Sequence, residues 1–291
     1  MMQTRLPHLP HPLQMPRFVR FGIAIDTVAA WRWLSLLAVA LWPTWWWMGQ
    51  RMADGSDDPL GILALVAMAT LLFVHRHRLR AAPRLGLQAT ALVGVVCTTV
   101  LQHQLPDLPD LLLALMGLLS LAAGLLAFLP TQVATAPVWG LSVLSLPLLA
   151  SLQFYAGFPL RVVTAELSSW LLSVAHTVER TGSSLLVDGQ LIIVDAPCSG
   201  VQMAWLGYFT ACAVALATQR SNRAFLLRLP VVGVLVLLGN VARNTVLVAA
   251  QASGMHLGNV AHQAVGLAVL GLVCYGIAWA MGITTRTGKP L

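Results

Sequence analysis

Long apolar runs separated by short polar segments dominate the pattern along the chain. Each run is close to the length of about 20 apolar residues that a helix needs to cross a bilayer. Because backbone polar groups cannot stay unpaired in lipid, such runs predict spanning helices. The runs lie at 28–48, 60–75, 85–101, 111–129, 138–154, 201–217, 229–250 and 260–282. The pattern therefore predicts an all-α, polytopic transmembrane bundle of about eight spans.

The segment at 155–200 has a different pattern. Within 159–179, apolar residues recur at spacings of three and four, which indicates an amphipathic helix lying on the membrane surface or covering the bundle. Residues 185–194 place Asp188-Gly189 between two apolar stretches, which is typical of a β-hairpin turn. A hairpin cannot leave bare edges in lipid, so we expect a small helix and a β-hairpin at the outer face.

The composition excludes a soluble globular domain. Hydrophobic residues make up 58% of the chain and charged residues 9%, whereas soluble domains carry about 25% charged residues. The net charge of +7 reflects membrane topology, because a cytoplasmic N terminus places 13 of the 17 basic residues in inner segments. All acidic residues except Asp26 then fall outside. Nucleic acid is therefore not an expected partner.

One membrane domain with two short tails is predicted. Residues 1–27 have no apolar core of the kind found in a cleaved signal peptide, so they are expected to form a cytoplasmic tail. Residues 28–282 form the membrane domain, and residues 283–291 form a cytoplasmic C-terminal tail. No internal repeat divides the domain.

A cysteine precedes the sixth run. Cys198 lies in Asp195-Ala-Pro-Cys-Ser-Gly200, and Ser199 is a candidate cap for the following helix. A thiol at a helix N terminus faces free N–H groups and the positive end of the helix dipole, which favour the nucleophilic thiolate. The alternative is a small residue at a tight turn bracketed by Pro197 and Gly200, and position alone does not decide between the two.

Two further ionisable groups fall on the same side of the predicted membrane. Arg243 lies within the seventh run, where a cation costs a few kcal/mol, so a function is favoured over structural bonds to backbone carbonyls. Asn240, three residues earlier, shares its helix face. His262 begins the eighth run on the side of Cys198. Residues expected to support the site or the substrate are Ser199, Gly200 and Asn240.

Together these groups suggest acyl-transfer chemistry. Cys198 would attack a peptide carbonyl to give a thioester, His262 would protonate the leaving amine, and Arg243 would stabilise the oxyanion or hold the substrate backbone. Water would then complete hydrolysis, and an amine acceptor would complete transpeptidation. His176 and His256 are weaker candidates on the same side. No metal-ligand spacing is present, so neither a metal nor a cofactor is predicted.

These residues occur in an order that resembles the signature of the exosortase/archaeosortase family. The resemblance rests on Cys-Ser-Gly at 198–200, Asn-x-x-Arg at 240–243 and the following His262, and it covers roughly residues 153–272. Members often have Glu-Ala-Cys-Ser-Gly, whereas here Pro197 directly precedes the cysteine. The resemblance therefore implies a membrane cysteine protease or transpeptidase of a divergent subtype.

The resemblance also implies substrates and a location. Exosortases process exported proteins whose C-terminal sorting signal has a short motif, a membrane helix and a basic tail, often alongside exopolysaccharide production. The chain is then expected in the bacterial cytoplasmic membrane, in contact with lipid, with both termini inside and the active site at the outer face. The sequence leaves the oligomeric state and the choice between hydrolysis and transfer open.

Two other functions remain as alternatives. A small-solute or lipid transporter would explain the spans, although transporters often have repeated halves and polar residues near the midplane. A non-catalytic assembly subunit would explain a structural Arg243 and would not need an accessible Cys198.

Overall fold

A computed structural model describes most of the chain, namely residues 30–53, 55, 59–195, 198–255 and 258–282. Both predicted tails, 1–27 and 283–291, lie outside the described residues. The helices are α1 (Ala30–Ala40), α2 (Trp42–Ala53), α3 (Gly61–Val74), α4 (Leu85–Gln104), α5 (Asp110–Phe128), α6 (Thr135–Leu144), α7 (Leu149–Leu172), α8 (Val201–Ala217), α9 (Asn222–Ala252) and α10 (Asn259–Gly282). The strands are β1 (Val178–Thr181), β2 (Ser184–Val187) and β3 (Gln190–Ile193).

The helices have the length and composition of a membrane protein. Among the described residues, four are long and apolar enough to cross a bilayer: α4, α5, α9 and Val260–Gly282 of α10. The pair α6 and α7 would provide a fifth span if it is counted as one, although it is bent by 92°. The shorter apolar helices α1, α3 and α8 cover parts of other predicted runs. The helical membrane class is thus confirmed, and the count of about eight spans is not.

Prolines account for the breaks within two predicted runs. Pro147 lies between α6 and α7 in the run at 138–154, where it disfavours the α conformation of Leu146. Pro43 lies beside the break between α1 and α2, and its ring clashes with the carbonyl one turn earlier in a continuous helix. Each of these runs therefore forms two helical pieces.

The helix α7 differs in its bounds from the amphipathic helix predicted at 159–179. It begins at Leu149, continues through Pro159 and ends at Leu172. It packs against α8 and α9, so it covers the bundle. The residues after it do not continue the helix, because they enter a small sheet.

The sheet contains the predicted hairpin and an additional strand. Strands β2 and β3 pair antiparallel around Asp188-Gly189, whose φ angles of 50° and 83° suit a type I′ turn. Strand β1 pairs with β2 and was not expected. The two-residue loop Gly182-Ser183 between them was a usable signal, because Gly-Ser between two short strands is typical of a hairpin.

A small apolar core attaches the sheet to α7 and α9. The half-buried Cys198 packs against this core, and an ion pair between Glu166 and Arg180 also links α7 to β1. The sheet and these helices therefore fix the chain around the cysteine. The buried members of the core are Ala165, Leu172, Leu185, Val187, Ile192, Val194 and Val248.

The helices α8, α9 and α10 contact one another. A methyl group at Gly239 of α9 would lie 2.2 Å from Cγ2 of Val273 on α10, so this close approach requires glycine. Asn240 and Arg243 follow within about one turn of α9. The contact therefore holds both polar residues beside the neighbouring helices.

Candidate active site

Two buried amides of α9 hold the loop that carries Cys198. The carbonyl oxygen of Cys198 accepts hydrogen bonds from Nδ2 of Asn240 at 3.0 Å and from Nδ2 of Asn244 at 3.2 Å. The Cys198 N–H donates to the carbonyl of Asp195 at 2.9 Å. The main chain at Cys198 is thus fixed on both sides, which limits the positions available to the thiol.

The residues after the cysteine form a tight connection to α8. Gly200 occupies the N-cap position with φ of 86°, and a methyl group there would lie 2.8 Å from Cγ of Asn240. Glycine meets both requirements. Gly200, and not Ser199, therefore occupies the N-cap position, although the Ser199 hydroxyl still accepts from the N–H of Val201, the first residue of α8, at 3.4 Å. The same hydroxyl donates to Oε1 of Gln153 at 2.8 Å.

Cys198 and His262 line the same cavity, which has a volume of about 270 Å³. Asp195 lines it beside the cysteine, and Asn244 and Gln251 contribute from α9. Cys198, which carries the thiol, and His262, which carries the imidazole, therefore share one cavity. Pro197 and His256 lie outside the described residues.

Arg243 lies against α10 close to His262. A methyl group at Gly266 would be 3.2 Å from Nε of Arg243, so the guanidinium packs on this glycine. Gly266 follows His262 by four residues, which places the two on one helix face and about 6 Å apart along the axis. Arg243 also lines a neighbouring cavity of about 330 Å³. Arg243 therefore packs against α10 about one helical turn from His262, and it lines a cavity other than the one lined by Cys198 and His262.

Burial raises the pKa of the Cys198 thiol above its ordinary value. The positive charge of Arg243 opposes this shift, and the negative charge of Asp195 adds to it. The position of Cys198 before a helix predicted a favoured thiolate, but the pKa shifts in the opposite direction because desolvation outweighs the favourable charge of Arg243. The thiol therefore requires a base to become nucleophilic near neutral pH.

Alkylation of Cys198 by iodoacetamide is expected to rise with pH and to reach its midpoint above the value of about 8.5 for free cysteine. A raised pKa leaves less thiolate at each pH below it. Mass spectrometry that resolves individual cysteines measures the rate. Asp195→Asn should lower the midpoint, because it removes a negative charge that disfavours the thiolate. A wild-type midpoint below that of free cysteine would contradict the assignment.

Three supporting residues were missed by the sequence analysis. Asn244 contacts the Cys198 carbonyl, Thr164 accepts from Nδ2 of Asn240 at 3.0 Å, and Gln153 holds Ser199. Asn244 had a signal, since it is a second amide on an apolar helix, four residues after Asn240. No feature of the sequence distinguishes Thr164 and Gln153 from other polar residues at a helix surface.

Asn244→Asp is expected to lower the free energy of unfolding by about 1–3 kcal/mol. The substitution keeps the shape of the side chain but removes the N–H donor to the Cys198 carbonyl and to the Asn240 carbonyl. Thermal unfolding in detergent measures the loss. Thr245→Val is the matched control, because that hydroxyl donates only to its own helix, at Val241. Equal stability of the two variants would show that the amide does not fix the loop.

The histidine at 176 has a partner in the hairpin turn. Its Nδ1 lies 2.6 Å from Oδ2 of Asp188, and the N–H of Thr177 donates to Oδ1 at 2.9 Å. These hydrogen bonds hold the pKa of Asp188 below its ordinary value. His176 does not line the cavity of Cys198, and its contact with Asp188 links the segment after α7 to the β2–β3 turn.

The fold and this site define a helical membrane protein in which a thiol and an imidazole line one cavity, and a guanidinium of α9 that acts on the thiol by its charge lines another. The model of the transmembrane exosortase family matches residues 45–279, so the chain belongs to that family. Membership indicates a membrane peptidase or transpeptidase and agrees with the resemblance carried by Cys198, Arg243 and His262. No curated protein and no solved structure matches the chain. The roles of the individual site residues stay predictions.

Proposed function

We propose that this chain is a cysteine peptidase or transpeptidase that cleaves exported proteins at the outer face of the bacterial cytoplasmic membrane. The observation that carries the proposal is the cavity lined by both Cys198 and His262. Arg243 of α9 packs on Gly266 of α10, which lies one turn from His262 on the same helix face. Catalysis by a thiol needs a proton acceptor within reach of it, and this cavity brings the two residues together.

The chemistry follows from the three side chains. His262 takes the proton of the Cys198 thiol, and the sulfur attacks the carbonyl carbon of the scissile peptide bond. Arg243 stabilises the negative oxygen of the tetrahedral intermediate. The C–N bond then breaks, the leaving amine receives the proton from His262, and a thioester remains. Attack on the thioester by water gives a carboxylic acid, and attack by an amine gives a new amide.

The proposed substrates are exported proteins with a C-terminal motif, a transmembrane helix and a basic tail. Family membership supports this class, and the apolar helices of the chain offer such a helix a surface within the bilayer. The proposed orientation has both termini in the cytoplasm, and the clustering of basic residues in alternate segments between the apolar runs supports it.

Comparative mass spectrometry of membrane and secreted proteins, from cells with and without this chain, tests the proposal. We expect a set of exported proteins that keep their C-terminal helix and basic tail when the chain is absent. Cells with the chain should show a new C terminus, or a C terminus joined to an acceptor, ahead of that helix. Identical C termini in the two sets of cells would refute the proposed function.

A further inference from the structure

Strand β3 is at the edge of the sheet in the described part of the chain, where the strand order is β1-β2-β3. Edge strands expose unpaired N–H and C=O groups that pair readily with another chain, and proteins usually protect them with charged residues or proline. The sequence of β3, Gln-Leu-Ile-Ile, contains neither. Its Leu191 and Ile193 side chains are 65% and 56% exposed. This edge is therefore competent to accept an extended peptide.

The hydrogen-bonding groups of β3 alternate between its two sides. The N–H of Val194 donates to the carbonyl of Ser183 on the β2 side at 3.0 Å. In an antiparallel ladder, alternate residues direct their N–H and C=O toward the same neighbour. Val194 and Ile192 thus face β2, whereas Ile193 and Leu191 direct their backbone groups away from it. The free edge consequently presents a donor and an acceptor at every second residue.

This edge leads into the cavity that contains the thiol. Ile193, Val194 and Asp195 form one part of its lining, and Cys198 and His262 form another. A peptide paired with β3 would therefore pass from the edge of the sheet to the sulfur without leaving the protein surface. An extended main chain is also the conformation that exposes a peptide carbonyl to attack.

We propose that the substrate docks by β-strand addition, with the segment next to its scissile bond pairing with the free edge of β3. This inference rests on the proposed function and adds how the substrate is recognised. Main-chain pairing supplies affinity that does not depend on side chains, and Leu191 and Ile193 supply apolar contacts on one face. The occupant is thus an extended peptide segment, as distinct from the transmembrane helix of the same substrate.

Labelling of Cys198 in the full-length protein tests the docking mode without a known substrate. The probe is acetyl-tetraalanine chloromethyl ketone, in which the Cys198 sulfur displaces chloride and forms a C–S bond. Iodoacetamide is the reference reagent, because it has no peptide chain to pair with β3. Ile193→Pro removes the outward N–H without removing a bond to β2, and Ile193→Ala is the matched control that keeps the N–H.

Ile193→Pro is expected to react with the peptide probe about fivefold more slowly than Ile193→Ala, the equivalent of one net hydrogen bond. Iodoacetamide should label Cys198 equally in both variants, which shows that the loop is intact. Equal rates with the peptide probe would overturn strand addition.

A second measurement avoids any change to the protein. Wild-type protein is treated with probes that carry one N-methyl group at successive alanines. Strand addition predicts that labelling is slow when the methyl group lies on alternate alanines, whose N–H groups would pair with β3. Equal rates for all of the methylated probes would overturn it. Failure of the proposed function has a different signature, because processing of exported proteins would then survive the replacement of Cys198.

Discussion

Cys198→Ala is expected to reduce the rate of substrate cleavage by a factor on the order of 10⁴ or more, as the loss of a nucleophile does in other peptidases. Without the sulfur no thioester forms, and only the weaker effects of binding and oxyanion stabilisation remain. The measurement is single-turnover cleavage of an exported substrate by purified protein in lipid vesicles. Thermal unfolding in detergent checks that the variant is folded.

Cys97→Ala is the matched control for this experiment. Cys97 is also a half-buried free thiol, but it lies on α4 and does not line the cavity of Cys198. The control should cleave at the wild-type rate. Normal maturation of the substrate by Cys198→Ala would eliminate the nucleophile assignment, whatever the control does.

Arg243→Gln is expected to lower the rate of cleavage by about 10²–10³, the usual cost of removing one donor to an oxyanion. The same change should raise the pKa of the Cys198 thiol further, because it removes the positive charge that favours the thiolate. The pH dependence of cleavage should therefore shift to higher pH. Measurement of the rate across pH separates this shift from a plain loss of folding.

Arg228→Gln provides the control for charge removal on the same helix. Arg228 lies toward the opposite end of α9, where its Nη1 donates to the carbonyl of Met281 at 3.0 Å. This variant should keep the wild-type pH profile. If Arg243→Gln also kept both its rate and its profile, the arginine would have a packing role alone.

Much of the architecture could be predicted because a helix that crosses a bilayer needs a long apolar run, which is visible in the sequence. Apolar runs located most of the helices, and an Asp-Gly pair located the β2–β3 turn. The break between α6 and α7 was harder, since Pro147 can end a helix or only bend it, depending on the packing around it. Whether short apolar helices such as α3 and α8 cross the membrane depends on neighbours that sequence does not specify.

The residues of the candidate site could be predicted, but their hydrogen bonds and burial could not. The position of Cys198 before a helix and the charge of Arg243 inside an apolar run are local features. The two amides on the Cys198 carbonyl depend on the rotation of α9 about its axis, which the sequence leaves free. The raised pKa of the thiol depends on burial by the sheet, and that burial exists only in the folded chain.

The proposed mechanism requires that Cys198 becomes acylated during cleavage. Purified protein mixed with its exported substrate and quenched within one turnover should carry the substrate fragment on the Cys198 peptide, as resolved by mass spectrometry. The adduct should be released by hydroxylamine, which cleaves thioesters. An adduct on another residue, or cleavage that proceeds with no adduct at any time, would contradict this mechanism.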